Sequence, residues 1–154
     1  MINKTTSLYL DTSIFGGYYD DIFMRETRLL FEKIKAGKYN VFISELIKNE
    51  LENAPENVKN LLNIFKYQWL KITPECKILA DEYIKEKVVG ATSRDDCMHI
   101  ATATINNIDI LVSWNFKHIV NVERIRGYNT INFKYGYKPL EIRSPKDMGV
   151  YDDE

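Results

Sequence analysis

The sequence predicts an α/β fold of three layers, with helices on both faces of a mostly parallel sheet. Three observations point there. Short apolar runs such as Leu8-Tyr9-Leu10, Val41-Phe42-Ile43 and Ile110-Leu111-Val112 show no polar alternation, which suits strands buried on both faces. The stretches between them repeat apolar residues at helical spacing. The two kinds of segment alternate along the chain, the order that βαβ units require.

Taken in order, the first strand is expected at residues 7–10, closed by Asp11-Thr12-Ser13, with Gly16-Gly17 as a turn. A helix over about residues 24–36 places Leu29, Leu30 and Ile34 on one face and stops at Gly37. A second strand at residues 41–43 leads into Ser44, an N-cap for a helix carrying Leu46, Ile47, Glu50 and Leu51. Pro55 suits the first turn of another helix, with Val58, Leu61, Leu62 and Phe65 on its apolar face. Residues 69–72 are a third strand. Thr73-Pro74-Glu75 opens a helix carrying Ile78, Leu79 and Tyr83 that ends near Gly90. Ser93-Arg94-Asp95-Asp96 opens the next, which Asn106-Asn107 end. Residues 108–113 form the clearest strand. Ile119, Val122, Ile125, Tyr128 and Ile131 then recur at helical spacing, and an edge strand at residues 140–143 precedes Pro145.

A chain of 154 residues, 45% apolar and 28% charged, suits one globular domain with a real core. That domain is expected over residues 1–148, with residues 149–154 as a frayed acidic tail ending Asp152-Asp153-Glu154. No apolar run is long enough to cross a bilayer and residues 1–7 lack a leader pattern, so a cytoplasmic protein is expected. Cys76 and Cys97 lack metal-ligand spacing and read as small buried apolar residues. The formal net charge of −1 argues against coating nucleic acid by bulk charge. Residues 114–147 nevertheless hold seven Lys/Arg against three Asp/Glu, enough for a local basic rim.

In an open parallel sheet, ligands bind beyond the carboxyl ends of the strands. Three apolar strands here end in polar residues: the first at Asp11, the second at Ser44, the late one at Ser113-Trp114-Asn115. An aspartate at the mouth of a sheet, half out of water, needs a cation or hydrogen bonds to hold it. Glu50 shares a helical face with Leu46 and Ile47, and Asp96 shares one with His99, Ile100 and Ala103, so both carboxylates point inward. Several inward carboxylates at one edge repel each other, and a hard divalent cation relieves the repulsion. Such a cation can bind a phosphate oxygen and activate water, which suggests phosphodiester hydrolysis.

The segments Leu8-Tyr9-Leu10-Asp11-Thr12-Ser13, Ser44-Glu45-Leu46-Ile47-Lys48-Asn49-Glu50-Leu51, Asp96-Cys97-Met98-His99-Ile100-Ala101-Thr102-Ala103 and Ile110-Leu111-Val112-Ser113-Trp114-Asn115-Phe116 resemble, in order and spacing, the four signature regions of PIN domains. The small single-domain members are the VapC-like toxins of type II toxin–antitoxin pairs. The resemblance implies a Mg2+- or Mn2+-dependent endoribonuclease, often a homodimer, neutralised by a cognate antitoxin. Asp11, Glu50 and Asp96 match its acidic positions. Asp11 and Asp96 would hold Mg2+, and Glu50 would bind through water or position the nucleophile. Asn115 stands where many members carry a fourth aspartate; its amide oxygen can support the site but brings no charge. Ser13 and Ser113 fall where small hydroxyl residues lie near the metal. Arg94, Lys48 and Lys117 lie near the mouth as candidate RNA contacts.

Blander readings stand beside these. Asp-Thr-Ser is good turn chemistry. Glu45, Glu50 and Glu52 together suit a solvated face. Ser93 to Asp96 resembles a capping box, although Asp95, about 100° around the helix from Asp96, serves that purpose too. His99 reads as a core histidine, His118 as a surface or helix-start residue, and Tyr18 and Tyr19 as packing residues. The alternative function is an inactive PIN-like module that binds RNA or a protein partner. A haloacid-dehalogenase site needs an aspartate where Ser13 stands. No G-x-G-x-x-G follows the first strand, and no G-x-S-x-G occurs.

Overall fold

The structure, a computed structural model, describes residues 4–152. Five strands, β1 (Thr6–Leu10), β2 (Tyr39–Ser44), β3 (Gln68–Leu70), β4 (Ile110–Val112) and β5 (Glu141–Arg143), form one sheet in the order β3-β2-β1-β4-β5. Every neighbouring pair is parallel. Among the described residues, eight α-helices connect and cover it: α1 (Thr12–Gly17), α2 (Met24–Lys35), α3 (Glu45–Glu50), α4 (Glu56–Lys59), α5 (Pro74–Lys85), α6 (Arg94–Ile105), α7 (Val122–Lys134) and α8 (Pro145–Asp152).

Strand alternation sorts the core into two clusters. Tyr9, Leu111 and Ile142 face the cluster built with Leu79, Tyr83, Cys97 and Ile100 of α5 and α6. Leu8, Leu10, Val41, Ile43 and Val112 face the other, with Leu30, Phe31 and Ile34 of α2 and Met148 of α8. A sheet buried on both faces leaves no room for polar alternation, hence the continuous apolar runs. The chain winds from β1 out to β3, then returns to lay β4 on the other side of β1. The carboxyl ends of β1 and β4 therefore flank the point where strand order reverses, the usual crevice of an open sheet.

Several local expectations change. Gly16-Gly17 do not form a turn but close α1. Pro55 precedes α4 as its cap, and that helix gives way after one turn to a 3-10 turn over Asn60–Asn63. Leu29, Ile78 and Val122 are exposed, because helical spacing alone does not tell which edge of an apolar stripe faces solvent. Residues 149–152 belong to α8, while Asp153 and Glu154 of the expected tail lie outside the described residues. Cys76 and Cys97 are buried and free. Among the described residues, no helix is long and apolar enough to cross a membrane.

The loop after β4 is anchored by Trp114, stacked on Phe23 at a centroid distance of 4.2 Å and hydrogen-bonded through Nε1 to Thr27 Oγ1 at 2.8 Å. A Cβ at Gly17 would lie 2.7 Å from Trp114 Cδ1 and Nε1, whereas one at Gly16 would meet nothing. Gly17→Ala is therefore expected to destabilise the protein by about 1–3 kcal/mol through overpacking. Gly16→Ala should be neutral or stabilising by up to about 1 kcal/mol through helix propensity. Urea unfolding of the two variants reads the contrast, and equal midpoints would contradict the packing argument.

Candidate active site

Asp11 follows β1 in extended conformation, φ −86° and ψ 175°. Strand alternation thus puts its side chain on the face of Tyr9, the face that α6 covers. It is 3% exposed. Its carboxylate does not cap α1. Instead Oδ1 accepts a hydrogen bond from Ser13 Oγ and Oδ2 one from Ser113 Oγ, each at 2.6 Å. The two hydroxyls are themselves held: Ser13 Oγ accepts from the Trp114 amide at 2.8 Å and Ser113 Oγ from the Asn115 amide at 2.9 Å. The ends of β1 and β4 are thereby tied through one carboxylate. Burial pushes the Asp11 carboxyl above its ordinary value, with the charge of Asp96 acting the same way against His99 and the two serines.

Glu50 ends α3, whose N-cap is Ser44, with Oγ accepting from the Leu46 amide at 3.3 Å. The Glu50 side chain is 30% exposed, and its Oε1 lies 2.8 Å from His99 Nε2. Burial acts to raise this carboxyl, but the bond and charge of His99 outweigh it and hold it below its ordinary value. The Thr12 hydroxyl also favours the charged form without closing a hydrogen bond; its Oγ1 is buried and has no partner.

His99 is 2% exposed, a core histidine with both nitrogens engaged. Its Nδ1 lies 2.5 Å from the Tyr9 hydroxyl, which lies 2.7 Å from Ser44 Oγ. Burial acts to lower the imidazole, but the bond to Glu50 and the charges of Asp11, Glu50 and Asp96 raise it above its ordinary value. The histidine was legible only as an apolar-face residue one turn after Asp96. Its link to Glu50 and the role of Tyr9 were not foreseen, although Tyr9 and Asp11 share a strand face by simple alternation.

Asp96 lies in the first turn of α6, half-buried, while Asp95 beside it is exposed. Ser93 makes no side-chain cap bond, so the capping box does not form. Burial pushes the Asp96 carboxyl up, aided by Glu50, against the opposing effects of His99, His118 and the Asn115 side chain. Asn115 Oδ1 accepts from the Lys117 and His118 amides at 3.2 and 3.0 Å, so its oxygen closes a turn and its nitrogen is the group left for Asp96. His118 is half-buried rather than a surface residue, with an unpartnered Nδ1.

Lys48 and Lys117 are exposed. Arg94 is paired with Asp81 of α5. Tyr18 packs edge-on against Phe31, with Arg28 over its ring. The charges of all three carboxylates act on His99, that of Asp96 acts on Asp11, and that of Glu50 acts on Asp96. Among the described residues, however, no group of three or more His, Cys, Asp or Glu side chains is placed to share one metal ion. Mg2+ is usually held by one or two carboxylates with several waters, so Asp11 and Asp96 suit it in charge and type.

No family model matches the chain, and no curated protein does. Among solved structures it is similar to a chain of VapBC2 from Rickettsia felis, crystallised bound to a DNA fragment from their promoter. The match has a TM-score of 0.53 and 19% identity, and covers 90% of this chain and 98% of that one. At that identity the likeness shows the fold, a three-layer α/β/α architecture of PIN type.

The electrostatics make a stability prediction. A carboxyl whose folded pKa is raised binds its proton more tightly folded than unfolded, so ionisation of Asp11 lowers stability as pH rises through the folded value. Asp11→Asn should match the parent at low pH, gain on it as pH rises through that value, and keep a constant advantage above it. Urea midpoints over a pH series measure this; a variant less stable than the parent at neutral pH would contradict the charge account.

Proposed function

We propose that this protein is a Mg2+- or Mn2+-dependent endoribonuclease, the toxin of a toxin–antitoxin pair acting in the cytoplasm. The observation that carries the reading is Asp11, buried at the crevice between β1 and β4 with its charge opposed by burial and by Asp96. Acids kept under mutual repulsion at a sheet mouth mark a cation site. The cation would bind a phosphate oxygen and make water a better nucleophile.

The rest of the chemistry belongs to the chain. Asp11 and Asp96 are the ligands proposed, with Ser13 and Ser113 fixing the orientation of Asp11. Glu50, held ionised, offers its second oxygen to orient a water toward the scissile phosphate. Asn115, with its oxygen turned to backbone amides, steadies Asp96 rather than binding metal, which favours one ion over two. Lys117 and Lys48 are the proposed phosphate contacts; Arg94, engaged by Asp81, is the weaker candidate. The likeness to VapBC2 supports an antitoxin partner; assembly as a homodimer is proposed from the resemblance to PIN domains alone.

Asp11→Asn should lower metal-dependent RNA cleavage by about 100-fold or more, the scale of losing one essential electrostatic group. Asp95→Asn, at the exposed neighbour of Asp96, should cleave as the parent does. Cleavage of a single-stranded RNA with Mg2+ or Mn2+ reads both, and full activity in Asp11→Asn would sink the assignment. Calorimetry with Mn2+ adds a second arm: no binding at millimolar metal favours a binding module without catalysis.

A further inference from the structure

We propose that Ser44, Tyr9 and His99 form a buried relay of positioning residues whose task is to hold Glu50 at the site and set the three carboxylates in register. The proposal rests on the nuclease reading above. Its members are almost wholly inaccessible, Ser44 and Tyr9 at 0% and His99 at 2% exposure.

The relay has a consistent direction. The Leu46 amide donates to Ser44 Oγ at 3.3 Å, the Ser44 hydroxyl faces the Tyr9 hydroxyl at 2.7 Å, and Tyr9 meets His99 Nδ1 at 2.5 Å. His99 Nε2 reaches Glu50 Oε1 at 2.8 Å. With Ser44 donating to Tyr9 and Tyr9 to Nδ1, the remaining ring proton sits on Nε2 and points at Glu50. Each hydroxyl then donates once and accepts once, and no buried polar atom of the relay is left over. The Tyr9 and His99 rings also meet edge-on, 5.6 Å between centroids, which fixes the plane of the imidazole.

Placement distinguishes this from a core histidine that merely satisfies itself. Tyr9 is on β1, two residues before Asp11. His99 is on α6, one turn after Asp96. Ser44 caps α3, the helix that ends in Glu50. Every relay member therefore sits on, or caps, an element that bears or leads directly into one of the three acids, and the terminus of the relay is an acid itself. Glu50 lies at the end of a helix of six residues with 30% of its side chain exposed, a position that would otherwise leave it free to turn toward solvent. Partners that orient a site carboxylate in this way typically contribute about 10- to 100-fold to activity or metal affinity.

The test is a double-mutant cycle on the full chain, with circular dichroism confirming that each variant is folded. His99→Leu should lower kcat about 10- to 100-fold, with KM little changed. His99→Gln, whose amide can still donate to Glu50, should recover part of the loss. In a Glu50→Gln background, His99→Leu should add nothing; an equal loss in both backgrounds overturns the relay. Should His99→Leu fail to fold, Tyr9→Phe, which removes only the hydroxyl, takes its place in the cycle. A second arm needs no activity. The His99 Nε2 proton should give a downfield resonance that Glu50→Gln displaces, and Tyr9→Phe should shift the Nδ1 nitrogen. If neither variant moves the His99 signals, the relay is wrong. If the parent cleaves no RNA with either metal, the nuclease reading fails and the resonance arm alone decides the relay.

Discussion

A carboxylate held at 3% exposure beyond the central strand must have its charge matched, and the architecture around it answers that constraint. Asp11 receives one hydroxyl on each oxygen, from Ser13 on its own side and Ser113 from the neighbouring strand. Those hydroxyls are fixed by backbone amides of the segment after β4. Trp114 in turn pins that segment against Phe23 and Thr27, and the close approach of its indole is what requires glycine at position 17. From the carboxylate outward, each contact depends on the one before it.

The sheet supplies the stage for this arrangement. Because β4 returns to the far side of β1, the two strand ends stand side by side, and α6 crosses the face they share. His99 enters there within reach of the charge of all three acids, its Nε2 bonded to Glu50. The effects do not fall equally. Asp11 and Asp96 are pushed up, with burial the largest influence on each, whereas Glu50, in direct contact with the imidazole, is pulled down. Acids with opposite shifts in one crevice can take different roles; on the proposed reading two would hold a cation and the third would orient a water.

Asn115 shows how a residue at a strand end acquires meaning from its surroundings. As a residue type it is polar and uncharged. In place, its oxygen is committed to two backbone amides, and the useful part is the nitrogen facing Asp96. The position thus stabilises the charged form of Asp96.

The fold class, the strand order of appearance and the acids at the mouth were legible in the sequence, because alternation of buried strands and amphipathic helices is written in local periodicity. Ser44 as a cap and Asp95 as the outward acid were legible for the same reason, since both depend on neighbours within one turn. The relay through Tyr9 and His99, the double hold on Asp11 and the pairing of Arg94 with Asp81 were decided only by tertiary structure. Those partners lie far apart along the chain, up to 102 residues for Ser113 and Asp11, and no local pattern encodes which side chains a parallel crossover will bring together. Gly16-Gly17 reads as a turn by composition and is helix in fact, and the room Gly17 leaves is taken by an indole from the segment after β4. The sequence by itself determined which faces are buried and which charges stand at the sheet's edge; the three-dimensional packing determined what those charges touch, and hence which of them can do chemistry.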